Sequence, residues 1–572
     1  MRCQYFSFYI IGEMIKRFIS YPAIIGSVSV LLLTLLPFSD TAQLWGGSTQ
    51  FFIALWAIVL LLFVELFRLK CVLTFTLADG VFLLFVFYCL LRNVAAESFS
   101  WSDVFLLLYL MLLYVWGKLL QGNTMKVLMA GLLSTGICQS LIAWLQYWGV
   151  TPSLHNAFPC TGSFPNPAPL AGVLALSVTV TFYLLLHETT GWCKRLLLFV
   201  ALLLMLPVCA WADSRAAWLA LAVGVCGVLF KRWKVHVMWK VLLAFVLLLS
   251  VAPALYRYKQ VSADSRVLIW KVCAEIGREH CWVGDGNGAV ERNYMPHLGE
   301  YLSAKGNSKD NELAANNIYA FNEVLELYCS YGLVGVILLA VALFAAVYNA
   351  VRGSPLVMLL SVYGVLALFS YPSRYLSLLT YLVLLLSATD GTGIRVNLAP
   401  RYCVLCGMLL CMLMGGFSIY KLRCNRVNHA LNECYWEKEC REYLQEQYAG
   451  FSTETPLVAA YGKSLFMQKR YAEAVPVLEQ LIRLRPTLNV YTDLGISLQY
   501  TKAYEEAERC FSFAAQMLPT YMTPRYRLFK LYQESGQEQK ALQEAEVVMT
   551  MKVKVDNETT RRMRSEVERW LQ

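Results

Sequence analysis

Two arginines stand in similar short contexts. Arg215 lies in Asp213-Ser214-Arg215-Ala216-Ala217-Trp218, and Arg266 in Ser262-Ala263-Asp264-Ser265-Arg266, ahead of Trp270. Arginine keeps its charge almost anywhere and offers a planar fork of donors that matches phosphate oxygens. The plainer use of each is an ion pair with Asp213 or Asp264. Gly284, Gly286 and Gly288 have the spacing G-x-G-x-G, with no strand before them and no Lys-Ser/Thr after. That pattern does not fit a nucleotide-phosphate loop, and a turn-rich loop with close backbone approach is expected instead. Six histidines, with no dense His/Cys cluster, argue against a metalloenzyme.

The elements that must hold these side chains are membrane helices. Of 572 residues, 58% are hydrophobic and 15% charged, and mean hydropathy is +0.50. Soluble domains carry about 45–50% apolar and about 25% charged residues, so a single soluble enzyme, a disordered chain and a coiled coil are excluded. A span needs about 20 apolar residues, and about 13 such runs can be read. They lie near 18–38, 50–67, 71–91, 101–121, 125–148, 168–187, 195–211, 215–230, 237–256, 325–351, 355–372, 375–389 and 402–420. The first follows Lys16 and Arg17 and has no clear cleavage site after it, so it is expected to be a retained anchor. Most of the 18 cysteines sit in apolar runs and are expected to act as small hydrophobes, while Cys273 and Cys281 share a polar loop and could pair. Asp79 is expected to be an interfacial helix N-cap.

Lys and Arg fall in alternate loops, such as Arg68 with Lys70, Lys118 with Lys126, and Lys231 with Lys234, while loops 39–49 and 149–167 have none. The net charge of +10 is therefore first a topology signal, and no nucleic-acid partner is expected. The alternation places the N-terminus in the cytoplasm, and the loop 257–324 and the tail on the outer side. Arg215 and Arg266 then share the outer membrane surface, at the depth of a lipid diphosphate. Arg374, also at an outer span end, is expected to snorkel to the interface.

The expected division is a membrane domain over 1–423 with its large outer loop 257–324, then a soluble helical tail over 424–572. The tail repeats: Gly462 and Gly495, Ala474 and Ala507, and Pro486 and Pro519 are each 33 apart, and Ala507 to Ala541 is 34. This period resembles about three tetratricopeptide repeats, an α-solenoid able to bind a protein partner or to act as a spacer.

The order of motifs adds a second resemblance. A Ser-Arg-Ala at a span end is followed by Ser-Arg-x-x-x-Trp opening a large outer loop, then by Trp282, the glycines and Tyr294. Asn322-Glu323-x-Leu325 and Gly332-Leu333-x-Gly335 then re-enter the membrane, and Thr161–Pro167 with Ala171-Gly172 supplies a further outer-loop segment. Over residues 50–390 this resembles the O-antigen ligase and polymerase superfamily, which includes bacterial protein O-oligosaccharyltransferases. The resemblance implies an all-α, GT-C-like polytopic fold in the bacterial inner membrane. It also implies a metal-independent transferase, without cofactor, acting on an undecaprenyl-diphosphate-linked glycan. Arg215 and Arg266 would be the diphosphate clamps. The acceptor would be lipid A core, a second glycan or a protein hydroxyl.

The re-entry motif departs from that family where His-Asn is usual, because here Phe321-Asn322 stands, and Ser330 replaces a Glu before Gly332. Phe cannot orient or deprotonate an acceptor. Glu323 is then the first candidate, with His297 and His280 next; alternatively the reaction relies on positioning without a strong base, or activity has been lost. Glu323 also has a plain use as a helix N-terminal carboxylate. Asn166, Trp270, Asn322, Tyr294 and His297 are the candidate substrate-binding residues, with Asn166 equally able to cap the next span. An alternative of another class is a non-enzymatic membrane anchor for a repeat scaffold in envelope assembly.

Overall fold

The computed structural model of the chain describes residues 49–66, 72–96, 99–120, 122–188, 191–232, 253–254, 256–350, 354–389, 393–397, 399–432, 438–554 and 556–572. The spans expected near 18–38 and 237–256 fall almost wholly outside them. The described residues begin with α1 (Thr49–Leu66), α2 (Leu77–Ala95), α3 (Trp101–Leu119), α4 (Thr124–Tyr147), α5 (Pro167–His187), α6 (Trp192–Trp211) and α7 (Arg215–Arg232). Three helices of the large loop follow: α8 (Gln260–Glu279), α9 (Ala289–Lys305) and α10 (Ser308–Leu313). The chain re-enters as α11 (Glu323–Tyr348), α12 (Leu356–Phe369), α13 (Leu376–Ser387) and α14 (Pro400–Asn432). The tail adds α15 (Lys438–Gln447), α16 (Thr455–Met467), α17 (Tyr471–Leu484), α18 (Leu488–Tyr500), α19 (Tyr504–Met517), α20 (Met522–Glu534), α21 (Glu538–Thr550) and α22 (Glu558–Leu571).

Among the described residues, seven helices are long and apolar enough to cross a membrane, so the chain is a multi-pass membrane protein. α12 and α13 are shorter apolar helices. The expectation of helices alone is corrected in one place. Val72–Phe75 (β1) pairs antiparallel with Ile394–Asn397 (β2), Val72 opposite Asn397. β-branched and aromatic residues suit such a ribbon, so α2 begins at Leu77 rather than near residue 71. Asp79 is not the N-cap of α2. Thr76 is, and Asp79 completes its capping box from the third helical position, while also pairing with Lys118 at 2.8 Å.

α5 is the pivot of the membrane part. Leu170, Ala171, Val173, Leu174, Leu176, Ser177, Thr179 and Thr181 are fully buried. Small residues let neighbouring helices close in, and hydroxyls satisfy themselves on backbone oxygens. Ser177 Oγ donates to the Leu132 carbonyl of α4 at 2.7 Å, and Thr179 Oγ1 to the Ala175 carbonyl at 2.7 Å.

α11 is broken at Gly332 (φ 62, ψ −168), and the break is held by the loop between α8 and α9. Leu333 N–H donates to the Cys281 carbonyl at 2.8 Å, and Gly286 N–H to the Ser330 carbonyl at 2.8 Å. Free backbone groups near membrane depth need such partners. A Cβ at Gly332 would collide with the Trp282 backbone, and one at Gly284 with Ser330. Arg92 of α2 fastens the same loop through the Gly284 carbonyl (2.9 Å), and Tyr88 fastens α11 beside the break through the Tyr331 carbonyl (2.9 Å). Cys273 and Cys281 are free thiols, and the cysteine beside Cys273 is Cys329, whose Sγ lies 3.2 Å from the Cys273 carbonyl.

In the tail, helix pairs repeat with the sequence period. Ala474, Ala507 and Ala541 are fully buried, and a Cβ on Gly462 would meet Leu478 at 3.1 Å. α14 runs unbroken across residue 423, and its end contributes Val427, Ala430 and Leu431 to the tail's core. The tail also rests on the loop helices. Leu488, Ala514, Met517 and Leu518 share one core with Leu268, Val272, Tyr294 and Leu298.

Candidate functional site

The face of the membrane helices that carries α8–α10 brings Arg215 and Arg266 together, and Glu323 opens α11 two residues after Phe321, the ring against Arg266. Arg215 opens α7 and donates to the Lys259 carbonyl at 3.0 Å and to Ser262 Oγ at 3.2 Å. Arg266, in the second turn of α8, donates to the Phe369 carbonyl at the end of α12 at 2.7 Å. Its guanidinium lies 5.3 Å from the centre of the Phe321 ring. Burial lowers the proton affinity of Arg266, and the nearby Arg215 charge lowers it further, so the two cations share one neighbourhood. The nearby acids hold lysines: Asp213 pairs with Lys259 at 2.5 Å, and Asp264 with Lys309 at 2.8 Å. Asp264 also accepts from Tyr256 Oη at 2.7 Å. The simple Arg266–Asp264 pair is therefore not formed.

Phe321, at the place where His was looked for, is a left-handed residue (φ 51) at the centre of an aromatic group. Its ring meets Tyr371 edge-on at 5.0 Å, and Tyr319 stacks on Tyr371 at 4.8 Å. Stacked and edge-on aromatic contacts of this kind fix ring positions. Asn166 caps α5 through Ala168 N–H (3.0 Å), and its amide reaches Tyr371 Oη at 3.3 Å. Asn322 caps α11 on Val324 and Leu325 N–H (3.0 and 3.1 Å) and donates to the Leu368 carbonyl at 3.1 Å. Asn166 thus caps α5 and ties it to the strip between α12 and α13, and Asn322 caps α11 and ties it to the last turn of α12. Trp270 donates to the Ala320 carbonyl at 3.0 Å, beside Phe369.

Glu323 starts α11 and accepts from Ser373 N–H at 2.9 Å and Ser373 Oγ at 2.5 Å. Arg374, expected to snorkel, is instead 8% exposed. It pairs with Glu326 at 2.5 Å and lies 5.5 Å from the Tyr319 ring centre. Its position at the end of an expected span was the signal for it, and its carboxylate partner, 48 residues away, was not visible. Two expected ligand contacts lie elsewhere. Tyr294 is 1% exposed inside the loop-helix core, so its ring has no open face for a sugar. His297 sits between Asn293 and Glu279 (Nε2–Oε1 3.1 Å), at the far end of α8 from Arg266, about 20 Å along the helix.

Behind Glu323 a cavity of about 500 Å³ runs between α2, α3, α11, α12 and α13. Its deep part is lined by Phe82, Leu106, Leu110, Leu343, Leu360 and Leu386. Its polar end carries Asp103, Arg292, Glu323, Glu326, Ser373, Arg374 and, from the tail, Glu454. Asp103, Arg292, Ser373 and Glu454 were not singled out from sequence, because none belongs to a recognisable local pattern.

Residues 200–340 match the family model described as Wzy_C, O-antigen ligase. The matched stretch contains Arg215, Arg266 and Glu323, and covers less than half of the chain. It supports the ligase/polymerase superfamily and, in general terms, a ligase-like membrane glycan transferase using a lipid-linked glycan donor and a glycan or lipid acceptor. No curated protein matches the chain.

Proposed function

We propose that the chain transfers a glycan from a polyprenyl diphosphate to an acceptor at the periplasmic face of the inner membrane, with the tail on that same side. The observation that carries this reading is the setting of Arg266. It lies in the matched stretch beside Arg215, with a backbone carbonyl and an aromatic ring as its contacts, while Asp264 is taken by Lys309. In the reaction the anomeric C–O bond to the diphosphate breaks as a bond to the acceptor hydroxyl oxygen forms, with inversion. Negative charge grows on the leaving diphosphate. Cations fixed beforehand at that place stabilise the transition state more than the ground state. Phe321 holds the Arg266 guanidinium over its ring face. Glu323, held by Ser373, orients the acceptor hydroxyl and takes its proton. The helical tail is read as tetratricopeptide-like repeats forming a second domain after residue 423.

The test uses a deletion strain carrying wild type, Arg266→Ala or Glu323→Gln. Surface polysaccharide, glycoprotein and lipid-linked donor are compared at matched protein levels. Loss of one glycoconjugate class with donor accumulation in both variants is expected, and the lost class names the acceptor. Unchanged profiles and donor levels in both would overturn the transferase reading.

A further inference from the structure

The cavity behind Glu323 has a character that the arginine site lacks. Its lining holds five carboxylates (Asp103, Glu291, Glu323, Glu326, Glu454) and two guanidiniums (Arg292, Arg374). Glu326 is paired with Arg374, and Glu291 with Arg485 of the tail. The other three carboxylates are met by neutral donors. Asp103 accepts from Asn287 at 2.6 Å, and Glu323 from Ser373. Glu454 accepts from Ser100 (3.0 Å), Ser102 (2.8 Å) and Tyr420 (2.6 Å). A carboxylate can accept about four hydrogen bonds, so each keeps capacity facing the cavity. Such an end repels a diphosphate and suits hydroxyl or ammonium donors. A second observation points the same way. Tyr363 of α12 lines the cavity, is 4% exposed, and its hydroxyl has no hydrogen-bond partner among the described residues. A buried phenol normally has one, and a ligand polar group would supply it.

Below this end the walls are apolar. Asp103 to Leu110 along α3 spans about 10 Å, and Phe82, Leu106, Leu110 and Leu360 line that depth. A Cβ on Gly364 would meet nothing within 4 Å, so the space beside it is open. The roof comes from the tail: Thr453, Glu454, Thr455, Pro456 and Leu484 are part of the lining. We propose that this cavity binds an amphiphile with an apolar chain and a hydroxyl-bearing, non-anionic headgroup, and that the C-terminal helical segment completes the site through Glu454. The tail is then a wall of a binding site rather than a detached module. Under the transferase reading this is the acceptor's place, a role that rests on that reading, whereas the binding itself does not.

The test is photolabelling of the full-length protein in nanodiscs, with no transfer reaction needed. The probes are an alkyl glucoside with a diazirine in its chain and an alkyl phosphate of the same chain. The glucoside is expected to label α3 and α12 peptides, with competition by unlabelled dodecyl maltoside. Gly364→Phe fills open space and is expected to cut that labelling about tenfold, while Glu454→Lys lowers glucoside labelling and raises phosphate labelling about tenfold. Glu454→Gln keeps the fold check, with an intermediate loss at an unchanged melting temperature. Labelling by the glucoside that ignores Gly364→Phe, or phosphate labelling equal to it in wild type, would overturn the proposal. Failure of the transferase reading would instead leave this labelling intact while Arg266→Ala changed no glycan.

Discussion

At the scale of single residues, the decisive feature is what surrounds Arg266. A guanidinium facing a ring and a carbonyl keeps its charge for a ligand, whereas one locked to a carboxylate is neutralised before any ligand arrives. The ring of Phe321 contributes about 0.5–1 kcal/mol of cation–π attraction at a partly exposed site. Phe321→Leu is therefore expected to weaken donor binding about threefold, with Phe321→Tyr close to wild type, as read by titration of the purified protein. The sequence contexts of Arg215 and Arg266 were readable because charge and serine neighbours are local properties. The fate of Tyr294 was not, since its burial depends on Leu268, Val272 and the distant Met517 folding over it. Nor was the Arg374–Glu326 pair, which joins two separate membrane segments.

At the scale of elements, the break in α11 ties the large loop to the membrane helices. Gly332 has φ 62 and sits against the Trp282 backbone. Gly332→Ala would force a side chain into a left-handed position and onto that backbone, and the first of these alone costs about 1–3 kcal/mol. The expected outcome is a lower melting temperature in detergent and faster proteolysis of the loop over 281–288. Gly364→Ala, in a right-handed helix beside open space, is the control and should leave melting unchanged or raise it slightly. Part of the expected set of spans was legible from hydropathy: the helices at 101–119, 124–147, 167–187 and 192–211 fall where apolar runs predicted them. The ribbon at 72–75 was not, because Val72–Phe75 reads as the start of an apolar run until its partner at 394–397 is known.

At the scale of the whole molecule, the tail and the loop helices form one body on the same face of the membrane helices. Arg485 pairs with Glu291, Gln516 donates to Ser303 at 2.7 Å, and Lys552 pairs with Glu312 at 2.7 Å. The exposed Lys552–Glu312 pair contributes little, about 0–1 kcal/mol, whereas Arg485–Glu291 is mostly buried. A double-mutant cycle with Arg485→Ala and Glu291→Ala should show a coupling of about 1 kcal/mol in thermal or denaturant unfolding. Additive effects would mean the contact carries no docking energy. The period of 33 residues was legible because small residues recur where helices meet. The docking was not, because Met517 looks like an ordinary helix-end apolar residue until Gly299 is placed against it.

The most direct measurement is the affinity of the purified, nanodisc-embedded protein for a polyprenyl diphosphate and for the matching monophosphate, in wild type, Arg266→Ala and Arg266→Lys. A clamp of two arginines should make wild type favour the diphosphate by about tenfold or more. Arg266→Ala should abolish that preference, and Arg266→Lys should restore it only in part, since lysine lacks the planar fork. Equal affinities for the two phosphates in wild type, or a preference that survives Arg266→Ala, would contradict the assignment of Arg266 to the leaving diphosphate.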